Sequence, residues 1–238
     1  MAATAYSSLM LHAVLLEFEG VIADTRDART SALFASLADE GIVLTDWEYA
    51  EHCLSLPVRG AARAALALRG IRDDETRVDL ATLRAERQFT ELVETGLSLV
   101  PGAAALVESL HGHARLGLVS RATRREIEPL LSLAGVGDAF EFVIADDDPF
   151  TPKPSPASYA GALERLTRRG TVVSRNVVAL EDGRAGIRAA KAAGLRCAAV
   201  GPVAAHLAMD ADALLPTLVG QTAASIDALT SGERTAER

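Results

Sequence analysis

The sequence predicts an α/β protein built on a doubly wound parallel sheet, with a helical segment inserted after the first strand. Short apolar runs of strand length recur at Ala13–Leu16, Leu116–Val119, Phe142–Ala145, Val177–Leu180 and Leu195–Val200. Between the later runs lie amphipathic stretches at Gly102–Leu110, Thr123–Leu133, Ser155–Leu166 and Gly183–Ala193, each bounded by Gly, Pro or Ser. Strands that alternate with helices imply parallel pairing, because the crossover between two parallel strands is most easily made by a helix.

Taken in order, Ala13–Leu16 is apolar at every position and ends in Glu17-Phe18-Glu19-Gly20, the pattern of a buried strand whose carboxyl end delivers side chains to a crevice. Residues 24–97 then break the rhythm. They carry long helical patterns, with Thr45–Asp46 and Leu56–Pro57 as helix starts, and no convincing strand. The division expected is therefore a core of residues 1–23 and 98–238 and an insert of residues 24–97. An insert leaving at a strand's carboxyl end is placed to act as a lid. The Ala-rich stretches Ala61–Ala67 and Arg188–Ala193 fit close helix packing.

With 238 residues, 49% of them apolar, the chain can bury a sizeable core. Its formal charge of −8 is spread along the whole length, leaving no basic face for a nucleic-acid backbone. Cys53 and Cys197 stand alone, outside any zinc or disulfide pattern, as suits a reducing compartment. The opening MAATAYSSLMLHAV lacks the charged start and long apolar stretch of a secretory signal, and no run approaches the ~20 apolar residues of a membrane helix. A cytoplasmic protein with no membrane or nucleic-acid partner is expected, as monomer or homodimer. The polar tail after Asp227 is expected to fray.

Four polar features follow predicted strands: Glu17 with Glu19, Ser120, Lys153 in TPKP, and Glu181 with Asp182. Singly, each has an ordinary explanation as a helix cap, a turn residue or a solvated lysine. Jointly, they would project onto one rim of the sheet. Carboxylates crowded there repel one another unless a hard cation offsets them, and Mg²⁺ is the natural candidate. Lys153, the Ser120 hydroxyl and backbone N–H groups would suit the oxygens of a phosphoryl group, with one carboxylate to attack and its neighbour to move a proton.

These segments resemble the four motifs of the haloacid dehalogenase-like superfamily, in order. LLEFEGVIADT is similar to the first motif, LGLVSRAT to the Ser/Thr motif, TPKPSPASY to the lysine motif and VVALEDGRAGIRAAKAAG to the acidic fourth. The resemblance spans Val14 to Val200 and is nearest the phosphoglycolate phosphatase and β-phosphoglucomutase branch. It implies a Rossmann-like core with a mobile cap formed by the insert, and a Mg²⁺-dependent phosphatase acting on a small phosphorylated metabolite. Glu17 would be the nucleophile, Glu19 the general acid/base, and Ser120 and Lys153 the phosphate holders. Asp182 and Glu181 would complete the Mg²⁺ site with the Glu17 carboxylate and the Glu19 carbonyl.

The departure is that both aspartates of the family's first motif are glutamates here. Charge is kept while reach changes, and misplacement by about an ångström can cost on the order of a hundredfold in rate. Two classes therefore stand: a phosphatase with a shifted site, and a non-catalytic relative that binds a phospholigand or metal in a regulatory or partner-binding role.

Other candidates are more ambiguous. Arg121 either adds charge to the phosphate site or points outward. Arg59, in LPVRG, resembles the loop that sets specificity in this branch, and the same Arg at a helix start is equally a solvated residue; Trp47, His52 and Arg63 are further cap candidates. His111 and His113 are spaced as metal ligands but have no acidic or Cys partner nearby in sequence, so they read as a surface turn. The single glycine of Glu17-Phe18-Glu19-Gly20 does not make a dinucleotide loop, and Arg26-Asp27-Ala28-Arg29 lacks the cap His of a mutase.

Overall fold

The computed structural model describes residues 10–54, 56–96, 98–202 and 209–230. Most of the N-terminal stretch and of the polar tail, on which expectations were placed above, lies outside the described residues. The chain divides into two units, one formed by the described residues up to Asp24 and from Leu99 onward, the other by Thr25–Ser98.

In the first unit six parallel strands form one sheet: β1 (Ala13–Leu16), β4 (Arg115–Val119), β5 (Phe142–Ile144), β6 (Val177–Glu181), β7 (Arg196–Val200) and β8 (Ala213–Leu215). Their spatial order is β5-β4-β1-β6-β7-β8. The chain builds outward from β1 on one side, then returns to build outward on the other, so strand order reverses at β1. A ligand crevice is expected at the carboxyl ends of such strands. Buried on both faces, β1 and β6 carry no polar residue before Glu181, which explains why they read as continuous apolar runs rather than alternating ones.

Alternation nevertheless decides which helix each side chain meets. Ala13 and Leu15 of β1, Val177 and Ala179 of β6, and Cys197 and Ala199 of β7 pack into one cluster with Tyr159, Ala162 and Leu166 of α7 (Ala157–Thr167) and Ile187, Ala189 and Ala190 of α8 (Arg184–Ala192). By the same parity, Glu17 and Glu181 fall on the α7 face. Helices α5 (Ala103–Leu110) and α6 (Arg124–Leu133) follow two of the predicted stretches, whereas α9 (Ala223–Ala228) and β8 were not anticipated. At six and three residues respectively, they are too short to establish a period.

The second unit holds α1 (Arg26–Asp39), α2 (Asp46–His52), α3 (Val58–Leu68) and α4 (Glu75–Gly96). Leu33 and Leu37 of α1 pack with Ala61, Ala62, Ala65 and Leu66 of α3 and Val78, Ala81 and Ala85 of α4, so the Ala-rich run is where helices approach closely. Two-residue strands flank the insert, β2 (Ala23–Asp24) and β3 (Ser98–Leu99).

The helix start read at Thr45 is a reciprocal cap. Glu48 N–H donates to Thr45 Oγ1 at 3.2 Å, and Thr45 N–H donates to Glu48 Oε2 at 2.8 Å. Thr45→Ala leaves the Glu48 N–H without that acceptor, and we expect it to lower unfolding free energy by about 1 kcal/mol. Urea denaturation followed by far-UV circular dichroism checks this; an unchanged midpoint would show that the cap is energetically silent.

Candidate active site

Register brings the strand-end residues level. Leu16 pairs with Leu118 on one side and Leu180 on the other, so Glu17, Val119 and Glu181 lie side by side one position further on. Glu17 N–H continues the ladder to Leu180 O at 3.0 Å. After Glu17 the chain folds back tightly, with Ile22 N–H and Ala23 N–H both donating to Phe18 O. That turn needs Gly20 twice over: its φ is +72°, and a Cβ there would lie 2.3 Å from Asp182 Oδ2.

Lys153, carried on the segment between β5 and α7, reaches into this row. Its Nζ donates to Glu17 Oε2 at 2.7 Å, Glu181 Oε1 at 2.6 Å and Val119 O at 2.8 Å. The Ser120 hydroxyl donates to Glu17 Oε1, which also accepts from Phe18 N–H at 2.8 Å. Ser120 Oγ in turn accepts from Ala122 N–H at 3.0 Å. The Lys153 and Glu17 side chains are only 2% and 5% exposed, so these charges are desolvated and must be paired.

The electrostatics follow from that burial. Burial alone would raise the Glu17 carboxyl, but the adjacent Lys153 ammonium, with hydrogen bonds from Lys153, Ser120 and Phe18, holds it below its ordinary value. Glu181 is pushed the other way, by burial and by the Glu17 charge, despite Lys153. Asp182 makes no side-chain hydrogen bond or ion pair among the described residues, and burial with the charges of Glu181, Glu17 and Glu19 pushes its carboxyl up to about 7. Arg121 is exposed at this rim, where its charge pulls Asp182 and Asp146 down against the burial that raises both.

Two residues escaped sequence reasoning. Tyr159 O–H donates to Glu181 Oε1 at 2.6 Å, and its ring lies 5.0 Å from Lys153 Nζ. A fully buried Tyr must place its hydroxyl on a partner, and its position six residues after Lys153, at the start of a helix, was the available signal. Gly186 clears the space into which Glu181 folds, since a Cβ there would stand 2.0 Å from the Glu181 carboxylate.

Glu17, Ser120, Lys153 and Glu181 are thus brought together. Arg59 belongs to the helical unit, where its guanidinium donates to Asp79 and to Glu75 Oε2, the latter at 2.6 Å; Arg63 pairs with the same Glu75. Trp47 and His52 stack edge to face at 5.8 Å. His111 and His113 line, with His12 and Asp138, a cavity of about 410 Å³ beside the amino ends of β1 and β4.

The donor set Glu17, Glu19, Glu181 and Asp182 fits a hard cation by its oxygen chemistry and by its excess of negative charge over Lys153. Its present arrangement is different: among the described residues no three Asp, Glu, His or Cys side chains are placed to hold a metal ion. The physical reason is that Glu17 and Glu181 have turned an oxygen each toward Lys153.

The family model described as haloacid dehalogenase-like hydrolase matches residues 14–200. The chain belongs to that family. Among curated haloacid dehalogenase-like relatives, protein CbbY of Cereibacter sphaeroides is 31% identical over 200 residues, covering 79% of this chain and 83% of its own. A phosphoglycolate phosphatase of Yersinia pseudotuberculosis is 24% identical over 188 residues, covering 79% of each. The fold is shared with β-phosphoglucomutase of Clostridium difficile, with a TM-score of 0.77 at 19% identity over 93% of this chain and 97% of that one. CbbY of Rhodobacter sphaeroides, solved in complex with phosphate, gives a TM-score of 0.69 at 26% identity over 88% and 96%. No helix among the described residues of this haloacid dehalogenase-like hydrolase is long and apolar enough to cross a membrane.

Proposed function

We propose that the chain is a phosphatase acting on a small phosphomonoester, with Glu17 as nucleophile. The observation that carries this reading is the convergence of a buried carboxylate, a hydroxyl and an ammonium from three separate segments on one point at the switch in strand order. The relatives named as phosphoglycolate phosphatases and the phosphate bound to CbbY support it.

The Ser120 hydroxyl and Lys153 ammonium hold oxygens of the substrate's phosphoryl group and offset its charge. A Glu17 oxygen attacks phosphorus in line; the bond to the leaving alcohol oxygen breaks, and Glu19 supplies the proton that oxygen needs. Water then attacks the acyl phosphate as Glu19 takes a proton back, releasing phosphate and restoring Glu17. Glu17, Glu181, Asp182 and the Glu19 carbonyl are the groups that would hold Mg²⁺, which when bound neutralises carboxylate and phosphoryl charge. Arg121 adds charge at the rim. The helical unit acts as the cap that selects the substrate, with action in the cytoplasm.

The test is phosphate release from a panel of small phosphomonoesters, with and without Mg²⁺. The natural protein is expected to turn over with Mg²⁺, Glu17→Gln to lose turnover, and the Glu17→Asp/Glu19→Asp pair to gain on the order of a hundredfold. Activity in the double-Asp variant alone would overturn natural turnover and leave a protein that binds a phospholigand.

A further inference from the structure

We propose that Glu17 is a built-in occupant of the phosphate cradle, and that the length of its side chain, more than its charge, sets how weakly the resting protein holds phosphate. Here Ser120 and Lys153 are taken, as above, for the groups that receive the phosphoryl oxygens.

Donor accounting carries the point. An ammonium has three N–H donors, and those of Lys153 go to Glu17 Oε2, Glu181 Oε1 and Val119 O at 2.6–2.8 Å. A serine hydroxyl has one, and that of Ser120 goes to Glu17 Oε1. Neither side chain has a donor left for a phosphoryl oxygen. The two oxygens of Glu17 instead accept the ammonium, the hydroxyl and a backbone N–H, a pattern in which a planar carboxylate stands in for two oxygens of a phosphate.

The extra methylene makes this possible. A glutamate carboxylate ends roughly an ångström further from its backbone than an aspartate's, and Glu17 spends that reach on the far side of the cradle, where its side chain is 5% exposed. An incoming phosphate must displace it, which breaks charge-assisted hydrogen bonds in a desolvated pocket, the strongest kind this site offers. It must also leave the carboxylate to face Glu19, Glu181 and Asp182, whose charges already act on one another. Substrate and nucleophile therefore compete for the same donors before they can react.

The experiment is titration calorimetry with inorganic phosphate on the full chain, comparing the natural protein with Glu17→Asp, Glu17→Gln and Glu17→Ala. Circular dichroism verifies that each variant is folded. Glu17→Asp keeps the charge and withdraws the reach, so it is the deciding variant: it is expected to bind phosphate about tenfold more tightly than the natural protein, equivalent to ~1.4 kcal/mol. Glu17→Ala is expected to bind at least as tightly as Glu17→Asp, and Glu17→Gln, with full reach and no charge, to gain less than Glu17→Asp. Equal affinity in the natural protein and Glu17→Asp would overturn self-occupation, and so would a gain in Glu17→Gln matching that in Glu17→Asp, which would make charge the cause. Phosphatase turnover is measured on the same samples. Tight phosphate binding by Glu17→Asp without turnover in any form would leave self-occupation standing and remove the phosphatase reading. Turnover by the natural protein with no gain in Glu17→Asp would do the reverse. No phosphate binding by any form would overturn self-occupation, and the turnover measurement alone would then decide the phosphatase reading.

Discussion

Lys153→Met is expected to lower unfolding free energy by about 3–5 kcal/mol near neutral pH. The ammonium is the shared partner of two carboxylates whose side chains are 5% and 2% exposed, and methionine fills much of its volume without its charge. Glu17 and Glu181 would then face each other across a dry gap. The cost should be pH-dependent. In the natural protein Glu17 is held below its ordinary value of 4.5, so its stabilisation is present above that value and is lost as pH falls. In the variant both carboxyls are raised, the folded state binds the additional protons, and the deficit shrinks as pH falls toward 5. Urea titrations at pH 7.5 and 5 test the shrinking deficit of the variant, a third on the natural protein below pH 4.5 tests the loss of the Glu17 contribution, and Glu17→Gln/Lys153→Met should recover part of the loss because only one uncompensated carboxylate remains. A pH-independent loss would mean that Lys153 stabilises through packing of its stem.

Gly186→Ala is expected to cost about 2–4 kcal/mol, although Ala is the better helix former and Gly186 lies within α8. A methyl group there would stand 2.0–2.1 Å from three atoms of the Glu181 carboxyl, and Glu181, 1% exposed, has no solvent-facing rotamer to escape into. It must leave Lys153 or Tyr159. Shortening the acid, as Gly186→Ala/Glu181→Asp, should restore a measurable part of the midpoint lost in the single variant. If Gly186→Ala is neutral or stabilising, Glu181 is not confined as described.

Strands β1, β4, β5, β6 and β7 were legible because burial on both faces writes an unbroken apolar run, and AVLL and VVALE carry that signature without ambiguity, whereas the short edge strand β8 was not. The nearness of Glu17, Ser120 and Glu181 was legible for a related reason: parallel strands in register place strand-end residues side by side, whatever their separation in the chain, and Lys153 joins them from the segment that follows β5. The choices made by individual atoms were not. That Glu17 would extend into the cradle, that Tyr159 would cap Glu181, and that Gly186 would hollow out room for it depend on packing across segments tens of residues apart. Arg59 illustrates the same limit in the helical unit. Its partners Glu75 and Asp79 already share a face of α4 at a spacing of four, but Arg59 of α3 meets them only once the two helices are laid together, a relation that no local period encodes.

The central position of β1 has a consequence for how the molecule is made. Ala13 must find Arg115 on one edge and Val177 on the other. At translation rates of ~5–20 residues per second, the first strand waits on the order of ten seconds for its second neighbour to be synthesised. Through that interval AVLL is an apolar segment with an open edge, the kind that pairs with the wrong chain. Residues 25–98, by contrast, are contiguous, and the buried cluster of Leu33, Ala62, Leu66 and Ala81 is drawn from within them. The most buried strand of the nascent chain is thus still without its second partner when the contiguous segment is already complete, and slow maturation, if measured on refolding, is expected to trace to this strand order rather than to any single residue.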